Sequence, residues 1–271
     1  INYVQLSPTL QATKSNYTKI HKGKSPDYLE YFIDSNKRIL IDQIQSEQGA
    51  RFFKKRNRNI IIEVFDDIEL KDNFIWLTLK DLIDLCAIDN VVNMDSRTVL
   101  SCIHFGTLME DNIDLYKLFA NNEYNICTMN SLLNNEAKLH SIPEILSWIS
   151  DYKSTVDYKS KLIPMNKVNK WELGYSYKHE SNKYFEVIGA KISIDNREIT
   201  SWCQPMIKPI SKGLMVLLSR KINGAYHYLC QLKYEPGNLD FVEMAPTIHC
   251  VPDSYADKKS IHYYDVVIIV I

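Results

Sequence analysis

A polar segment near the start of the sequence, residues 7–21, carries the side chains that a hydroxylated or phosphorylated ligand would need. Eleven of its fifteen side chains can donate or accept hydrogen bonds or carry charge. Pro8 favours a turn directly after a predicted strand at 3–6. The candidates for ligand contact are Gln11, Thr13, Lys14, Ser15, Asn16, Tyr17 and His21. The alternative is a solvated loop whose side chains cap helices.

A second segment, 42–59, combines cations with a carboxylate. The apolar spacing predicts a helix over 40–56, and side chains four residues apart share a helix face. The side chains of interest are Glu47, Arg51 and Lys55 on that face, Gln48 beside Arg51, and Arg56 at the end.

Three interpretations of this second segment stay open. Five of the eight residues 51–58 are basic, and guanidinium groups match phosphate oxygens in pairs, which favours a phosphate or diphosphate site. Phe52 and Phe53 interrupt the basic residues, and basic residues with aromatics also suit single-stranded nucleic acid. The third interpretation is an exposed helix face with salt bridges.

A third group of polar residues lies late in the chain. Alternation along 226–233 places every second side chain of a predicted strand on one sheet face, and the sequence Glu-Pro-Gly-Asn at 235–238 predicts a turn. The candidates for a second pocket are Trp202, Gln204, Gln231, Lys233, Glu235 and Thr247. An ordinary strand with an exposed polar face is the alternative.

The elements between these segments predict an α+β protein. Runs of β-branched and aromatic residues predict strands at 58–65, 184–194, 213–220 and 225–234. Helices are predicted at 40–56, at 78–87 after Thr78 and Asp81, at 96–103 after Asp95, and from Pro143 onward. Strands and helices in separate blocks indicate α+β with mixed sheets and flanking helices, rather than regular alternation. The asparagine-rich stretch 121–135 is predicted to be irregular, which puts a domain boundary near 125–142.

Composition excludes several classes of site. The eight glycines never lie within ten positions of each other, whereas dinucleotide turns and phosphate loops need closely spaced glycines. The six cysteines are at least sixteen residues apart, so buried free thiols in a reducing cytoplasm are expected rather than a disulfide framework or a Cys-x-x-Cys metal unit. The histidines form no zinc-protease pair.

Charge and hydropathy patterns exclude two classes of partner. The 32 basic and 33 acidic residues nearly cancel, which argues against a dedicated nucleic-acid or membrane-surface protein. No run reaches the roughly 20 apolar residues that span a bilayer, and the first residues lack a signal-peptide pattern. We therefore expect neither nucleic acid nor membrane as a partner.

The sequence contains an internal repeat. Residues 2–17 and 240–255 align without a gap at an offset of 238. The identical pairs are Val4 with Val242, Pro8 with Pro246, Thr9 with Thr247, and Tyr17 with Tyr255. This predicts a duplicated protein of roughly 476 residues, of which the present sequence is one part. Residues 1–130 would be the C-terminal part of the first repeat, and 131–271 the N-terminal and central part of the second.

The three chemical segments together resemble the NDP-hexose 2,3-dehydratases. The resemblance rests on 7–32, on IDQIQSEQGARFFKKRNRN at 41–59, on 76–85 with 89–103, and on WCQPMI at 202–207 with QLKYEPGNLDFVEMAPT at 231–247. It is weakest across 106–142. It implies a tandem-duplicated Nudix-like α/β sandwich that forms a homodimer. The Nudix catalytic helix is absent, so we expect no metal-dependent diphosphate hydrolysis and no metal.

The resemblance also implies a reaction. The substrate would be an NDP-4-keto-6-deoxyhexose, dTDP-linked, that loses its C2 hydroxyl, with a 3-ketoreductase acting next in deoxysugar biosynthesis. A base removes the C3 hydrogen, which the C4 ketone acidifies, and an acid assists the leaving hydroxyl. No cofactor is needed. The rival hypothesis is a non-catalytic nucleotide-sugar-binding module or an inactive fragment.

Roles for individual residues follow from the matched segments. Tyr17, His21 and Glu47 are the acid and base candidates, with their individual roles left open. Lys14, Arg51 and Arg56 would bind the diphosphate, and Gln11, Thr13, Asn16 and Gln48 the sugar and the nucleobase. Lys14 stands where the family usually has arginine. The second copy has His249, Val251, Pro252 and Asp253 where the first has Gln11, Thr13, Lys14 and Ser15, so we expect catalysis in the first pocket only.

Overall fold

The computed structural model of the chain describes residues 4–13, 25–34, 36–104, 122–133, 135–195, 199–255 and 261. The chain divides into two compact units. The first comprises Ile1–Gln45, Arg56–Ile103 and Lys191–Trp202, and the second comprises Ser46–Lys55, His104–Ala190 and Cys203–Ile271. The assignment of 1–130 and 131–271 to two repeats stays a prediction.

In its described residues, the first unit contains short helices and the two-stranded sheet of β1 and β2. Its elements are α1 (Leu29–Ile33), β1 (Arg38–Ser46, whose last residue enters the second unit), β2 (Arg56–Glu63), α2 (Leu79–Cys86) and α3 (Met94–Ser101). Strands β1 and β2 pair with each other. Tyr28 is buried beside α1, where its hydroxyl donates to Glu69 O at 2.9 Å and accepts from Lys71 N at 3.0 Å. The Phe74 ring packs edge-on against it, with centroids 4.6 Å apart.

Local sequence sets the starts of α2 and α3. Thr78 and Asp81 form a reciprocal capping box: Asp81 N donates to Thr78 Oγ1 at 3.2 Å, and Thr78 N donates to Asp81 Oδ2 at 3.1 Å. Thr78 Oγ1 also donates to Asp81 Oδ2 at 2.6 Å, and this bond together with the one from Thr78 N lowers the pKa of the Asp81 carboxyl. The predicted cap of α3 is wrong. Asn93, not Asp95, has the extended backbone that a cap needs, and its Oδ1 accepts from Ser96 N at 2.8 Å.

The second unit contains most of the strands. Its helices are α4 (Glu123–Leu133) and α5 (Ile142–Thr155), with 3₁₀ turns at Asn135–Ala137, Met165–Lys167 and Pro252–Ser254. Its strands are β3 (Trp171–Leu173), β4 (Tyr177–His179), β5 (Phe185–Ser193), β6 (Ser201–Pro209), β7 (Leu214–Val216), β8 (Leu218–Ile222), β9 (Ala225–Tyr234), β10 (Val242–Pro246) and β11 (Ile248–Cys250). The ends of β5 and β6 that are joined by 194–200 belong to the first unit.

These strands form several small sheets rather than one continuous sheet. The sheet orders are β3-β4-β5-β6, β10-β9-β8 and β11-β7. Strand β9 pairs antiparallel with both β8 and β10, placing Leu218 opposite Leu229 and Met244 opposite Leu232. Asn223 and Gly224 both have positive φ, of 51° and 73°, which suits the tight turn between β8 and β9. The α+β class is confirmed, but the strand pairs whose register the structure describes are antiparallel, so the prediction of mixed sheets is wrong for them.

The buried residues of the second unit lie around β9 and β11. Ile248 and Ile261 pack together, with Leu214, Val216 and Leu218 against them. Helix α4 lies against β9: Cys127 is buried, and Ser131 Oγ donates to Tyr226 O at 2.7 Å. This packing fixes strand β9, from which the candidate polar residues project.

Two predictions about local structure are wrong. Residues 40–56 form β1, a loop and the start of β2 rather than a helix, because the β-branched residues of 39–44 and 60–62 pair as strands with Gly49 in the loop between them. The stretch 121–135 is not irregular, since α4 occupies Glu123–Leu133 and its apolar side chains pack on β9. The predicted strand at 225–234 is confirmed.

The cysteines and the helices bear on two expectations from the sequence, buried thiols and the lack of a membrane-spanning run. All six cysteines are free thiols. Cys102 and Cys127 are buried, but Cys203 is exposed, so the expectation of buried thiols is wrong there. Within the described ranges, no helix has both the length and the hydropathy to cross a membrane.

Candidate functional site

The loop between β1 and β2 holds Glu47 beside a cation. Glu47 Oε2 lies 2.6 Å from Lys55 Nζ, and only 11% of the Glu47 side chain is exposed. The backbone closes the same contact, because Glu47 N donates to Lys55 O at 3.1 Å. Lys55 also lies over the Phe52 ring, 4.9 Å from its centroid. The helix face that was predicted to carry Glu47 and Lys55 does not form, and a loop brings the two side chains together instead.

Tight turns shape the rest of this loop. The amides of Arg51 and Phe52 both donate to Gln48 O, at 2.8 and 3.0 Å. Gln48 and Lys54 have positive φ, of 40° and 56°, a conformation that non-glycine residues hold only when their surroundings enforce it. Arg51 is half-buried, whereas Gln48 is exposed.

The 235–238 turn lies directly against this loop, and both belong to the second unit. Lys54 N donates to Gly237 O, and Gly237 N donates to Gly49 O, both at 2.7 Å. Beside them, Ser46 Oγ donates to Glu243 Oε1 at 2.5 Å. Two segments that the sequence assigned to different pockets are thus in contact.

The residues at the β9–β10 edge use their polar groups on the protein itself. Gln231 Nε2 donates to Pro246 O and to Thr247 O, both at 2.9 Å. Thr247 is 5% exposed; its Oγ1 accepts from Leu218 N at 3.0 Å and donates to Leu229 O. These contacts connect β9 to the segment between β10 and β11, so the polar groups of Gln231 and Thr247 bond within the protein rather than forming an exposed polar face.

Three ionisable side chains lie together at the end of β9: Lys233, Glu235 and His249. Lys233 Nζ donates to His249 O at 2.8 Å and lies 2.8 Å from Glu235 Oε1, while His249 Nδ1 lies 3.7 Å from the same oxygen. The Glu235 side chain is only 10% exposed. Burial, with a further contribution from Lys233 and against the effect of Glu235, lowers the pKa of His249. Burial raises the pKa of the adjacent Cys250 thiol, which Lys233 partly offsets.

The remaining candidates belong to the first unit, lie in another sheet or fall outside the described residues. Gln11 is exposed in the first unit, where its Nε2 donates to Asp95 Oδ2 at 2.5 Å. Thr13 and Arg56 are also exposed members of the first unit, and Trp202 and Gln204 lie on β6, in a different sheet from β9. The candidates outside the described residues are Lys14, Ser15, Asn16, Tyr17 and His21.

Sequence reasoning missed residues that shape the site. Gly49, Gly237 and Asn238 make the contact between the loop and the turn, and His249 joins the Lys233–Glu235 pair. Buried glycines in two polar turns were a usable signal, because a turn glycine often marks a close approach of backbones. Nothing in one sequence pairs residue 49 with residue 237.

A comparison with protein families decides the relationship. The model of the family described as NDP-hexose 2,3-dehydratase matches residues 1–103 and 142–268. The chain belongs to the NDP-hexose 2,3-dehydratase family. The internal stretch that the family model does not match, 104–141, coincides with the stretch where the sequence resemblance is weakest.

Individual dehydratases of this family give the same relationship. A protein of Saccharopolyspora spinosa is 39% identical over 262 residues, covering 96% of this chain and 53% of its own length. One of Amycolatopsis orientalis is 38% identical over 257 residues, covering 94% and 49%, and one of Streptomyces violaceoruber is 36% identical over 262 residues, covering 95% and 55%. All three are named dTDP-4-dehydro-6-deoxy-alpha-D-glucopyranose 2,3-dehydratase. The chain thus spans about half the length of the curated relatives it matches.

Proposed function

We propose that the protein containing this chain is an NDP-4-keto-6-deoxyhexose 2,3-dehydratase, a carbon–oxygen lyase acting on a dTDP-linked sugar. The observation that carries the proposal is the match to one family on both sides of 104–141, with three relatives that share one activity name. The match includes both the loop at 46–55 and the turn at 235–238, which lie in contact.

The reaction needs one proton removed and one delivered. A base takes the C3 hydrogen, and the electrons pass toward the C4 ketone oxygen, where hydrogen-bond donors stabilise the enolate. The enolate then expels the C2 hydroxyl, which leaves as water after an acid protonates it. The product enol gains a proton at C2 and loses the proton of its C3 hydroxyl, which gives a 3,4-diketone. The net change is loss of one water, so the step balances without an oxidant or a reductant.

Within this reaction we assign Glu47 to the acid or base group. Its carboxylate is largely buried beside Lys55, in a loop that Arg51 shares. A carboxylate held in one position is suited to proton transfer, because such catalysis requires hydrogen-bond reach to the reacting atom. Tyr17 and His21 are the other acid and base candidates.

Binding of the substrate is proposed for the remaining residues of the first pocket. The cations Lys14, Arg51 and Arg56 would hold the diphosphate, since phosphate oxygens favour charged donors. The polar side chains proposed for the sugar and the base are Gln11, Thr13, Ser15, Asn16 and Gln48. Trp202, Gln204, Gln231, Lys233, Glu235 and Thr247 would form the second, non-catalytic pocket.

The repeat and the coverage of the relatives support a proposal for the organisation of the whole protein. The 238-residue repeat and the half-length match to the relatives support two tandem repeats with Nudix-like folds. We further propose a homodimer, a cytoplasmic location in keeping with the free thiols, and a 3-ketoreductase that consumes the unstable diketone.

A nucleotide-sugar-binding module without activity is the second candidate. The internal hydrogen bonds of Gln231 and Thr247 favour a structural role for these two residues over ligand binding, because donors already used by the protein are not available to a ligand.

Incubation of the full-length protein with the 4-keto sugar nucleotide tests the proposal. An aromatic diamine traps a 3,4-diketone as a stable heterocycle, and calorimetry measures binding separately. Trapped product supports the dehydratase. Tight binding with no trapped product would identify a binding module, and salt-dependent binding of oligonucleotides alone would favour nucleic acid.

Paired substitutions then locate the active pocket. We expect Tyr17→Phe with His21→Ala to abolish turnover, and Gln231→Ala with Lys233→Ala to leave the turnover of correctly folded protein measurable. The reverse result would place catalysis in the second pocket.

A further inference from the structure

The 46–55 loop and the 235–238 turn meet at two glycines. A Cβ atom on Gly237 would lie 1.9 Å from Phe52 O and 2.4 Å from Gly49 O. A Cβ atom on Gly49 would lie 1.8 Å from Asn238 Oδ1 and 2.6 Å from Asn238 Cγ. Contacts below 3.0 Å require atoms to move: at Gly237 these are backbone atoms of the loop, and at Gly49 they belong to the Asn238 side chain.

The contact is closed by hydrogen bonds as well as by close packing. Gly237 uses both of its backbone groups on the loop, donating to Gly49 O and accepting from Lys54 N. Asn238 is 5% exposed, and its own amide donates to Glu235 O at 3.1 Å, which closes the turn. The turn is therefore a preformed surface on which the loop rests.

This contact reaches Glu47 in two steps. Lys54, whose amide bonds to Gly237, immediately precedes Lys55, and Lys55 pairs with Glu47 through both its backbone and its ammonium. Lys54 also has the left-handed conformation that needs external support. Loss of the contact at Gly237 would release Lys54 first and the Glu47–Lys55 pair next.

We propose that Gly49, Gly237 and Asn238 are positioning residues for Glu47, so that a turn from late in the chain sets the geometry of an acid–base loop from its early part. The proposal rests on the proposed function only for what Glu47 does, not for the contact itself. Glu47 has to reach one reacting atom, and loss of position is expected to lower kcat without a matching change in KM.

The test uses Gly237→Ala in the full-length protein, with Gly174→Ala as the matched control. A Cβ on Gly174 meets nothing within 4 Å. We expect Gly237→Ala to speed amide exchange at Lys54 and across 47–55 by about tenfold or more. We also expect kcat to fall by at least about tenfold while KM stays within about threefold. The control should change none of these.

A second pair of variants keeps the test decisive if Gly237→Ala does not fold. The clash at Gly49 involves the Asn238 side chain, so Gly49→Ala should lose activity and Gly49→Ala with Asn238→Ala should regain it, relative to Asn238→Ala alone. Such rescue is not expected for Gly237→Ala, whose clash is with backbone atoms.

Failure of the positioning proposal is separable from failure of the proposed function. If Glu47→Gln abolishes turnover while Gly237→Ala leaves exchange and kcat unchanged, the positioning role is wrong and the function stands. If exchange in 47–55 rises and is rescued at Gly49, but Glu47→Gln is fully active, the contact is confirmed and its catalytic purpose is wrong.

Discussion

Thr247→Val should destabilise the protein, because the hydroxyl of the buried Thr247 satisfies two backbone groups at once. Its oxygen accepts from Leu218 N at 3.0 Å and donates to Leu229 O, and the residue is 5% exposed. Valine has almost the same shape, so the substitution removes the hydrogen bonds without creating a cavity.

The magnitude follows from those two groups. Leaving a buried donor or acceptor unsatisfied costs about 1–3 kcal/mol, and the added methyl group returns about 0.8 kcal/mol of apolar burial. For two such groups, less the methyl burial, we expect the free energy of unfolding to fall by about 1–5 kcal/mol. Urea denaturation followed by circular dichroism measures this change.

Two variants serve as controls for this prediction. Thr155→Val removes an exposed hydroxyl at the end of α5, which donates to Tyr152 O at 2.8 Å, and should change stability by no more than about 0.5 kcal/mol. Thr247→Ser keeps the hydroxyl and should therefore retain most of the stability that Thr247→Val loses. If Thr247→Val is as stable as Thr155→Val but binds nucleotide sugar weakly, Thr247 is a ligand contact and the structural interpretation is refuted.

Three further predictions concern the acid–base loop, the charged group at β9 and a helix start. Glu47→Gln should lower the elimination rate by roughly 10²–10⁴ with nearly unchanged substrate affinity; a rate within about threefold of wild type removes Glu47 from the mechanism. Burial lowers the pKa of His249 below its ordinary 6.5, so the unfolded chain binds a proton at this residue more readily than the folded protein does. The contribution of His249 to the free energy of unfolding should therefore be fully present above about pH 6.5 and be lost as the pH falls through the folded pKa. Urea titrations at several pH values should show a smaller decline of the free energy of unfolding in His249→Gln. The same dependence on pH as in the wild type would contradict the role assigned to His249. Thr78→Ala should loosen the start of α2, which faster amide exchange at Asp81 would report; exchange equal to wild type would show that the cap is dispensable.

Local signals in the sequence predicted several elements well. The alternating β-branched and aromatic residues of 225–234 predict a strand, and β9 occupies that range. Thr78 with Asp81 predicts the start of α2, since both partners of a capping box lie within one turn. Ser141 and Glu144 form a similar box before α5, with Pro143 in its first turn.

The errors arose where distant pairing decides the structure. Apolar residues at 40, 41, 44, 52 and 53 fit a helical period, but β1 and β2 pair with each other and override that period. The hydrogen bonds between Gly49 and Gly237 join residues far apart in sequence, and no local pattern encodes such a contact. The polar residues of β9 likewise fit a pocket by local sequence, but Gln231 and Lys233 donate to backbone oxygens at 246–249, which are distant along the chain.

Product analysis in deuterated water tests the central claim most directly. The full-length protein would be incubated with dTDP-4-keto-6-deoxyglucose and the diamine trap, and the trapped sugar examined by mass spectrometry and NMR. A 2,3-dehydratase yields a diketone that has lost one water and carries solvent deuterium at C2, because the enol is protonated there, and Glu47→Gln should yield almost none. Recovery of unchanged substrate with a correctly folded, nucleotide-sugar-bound protein would contradict the proposed activity.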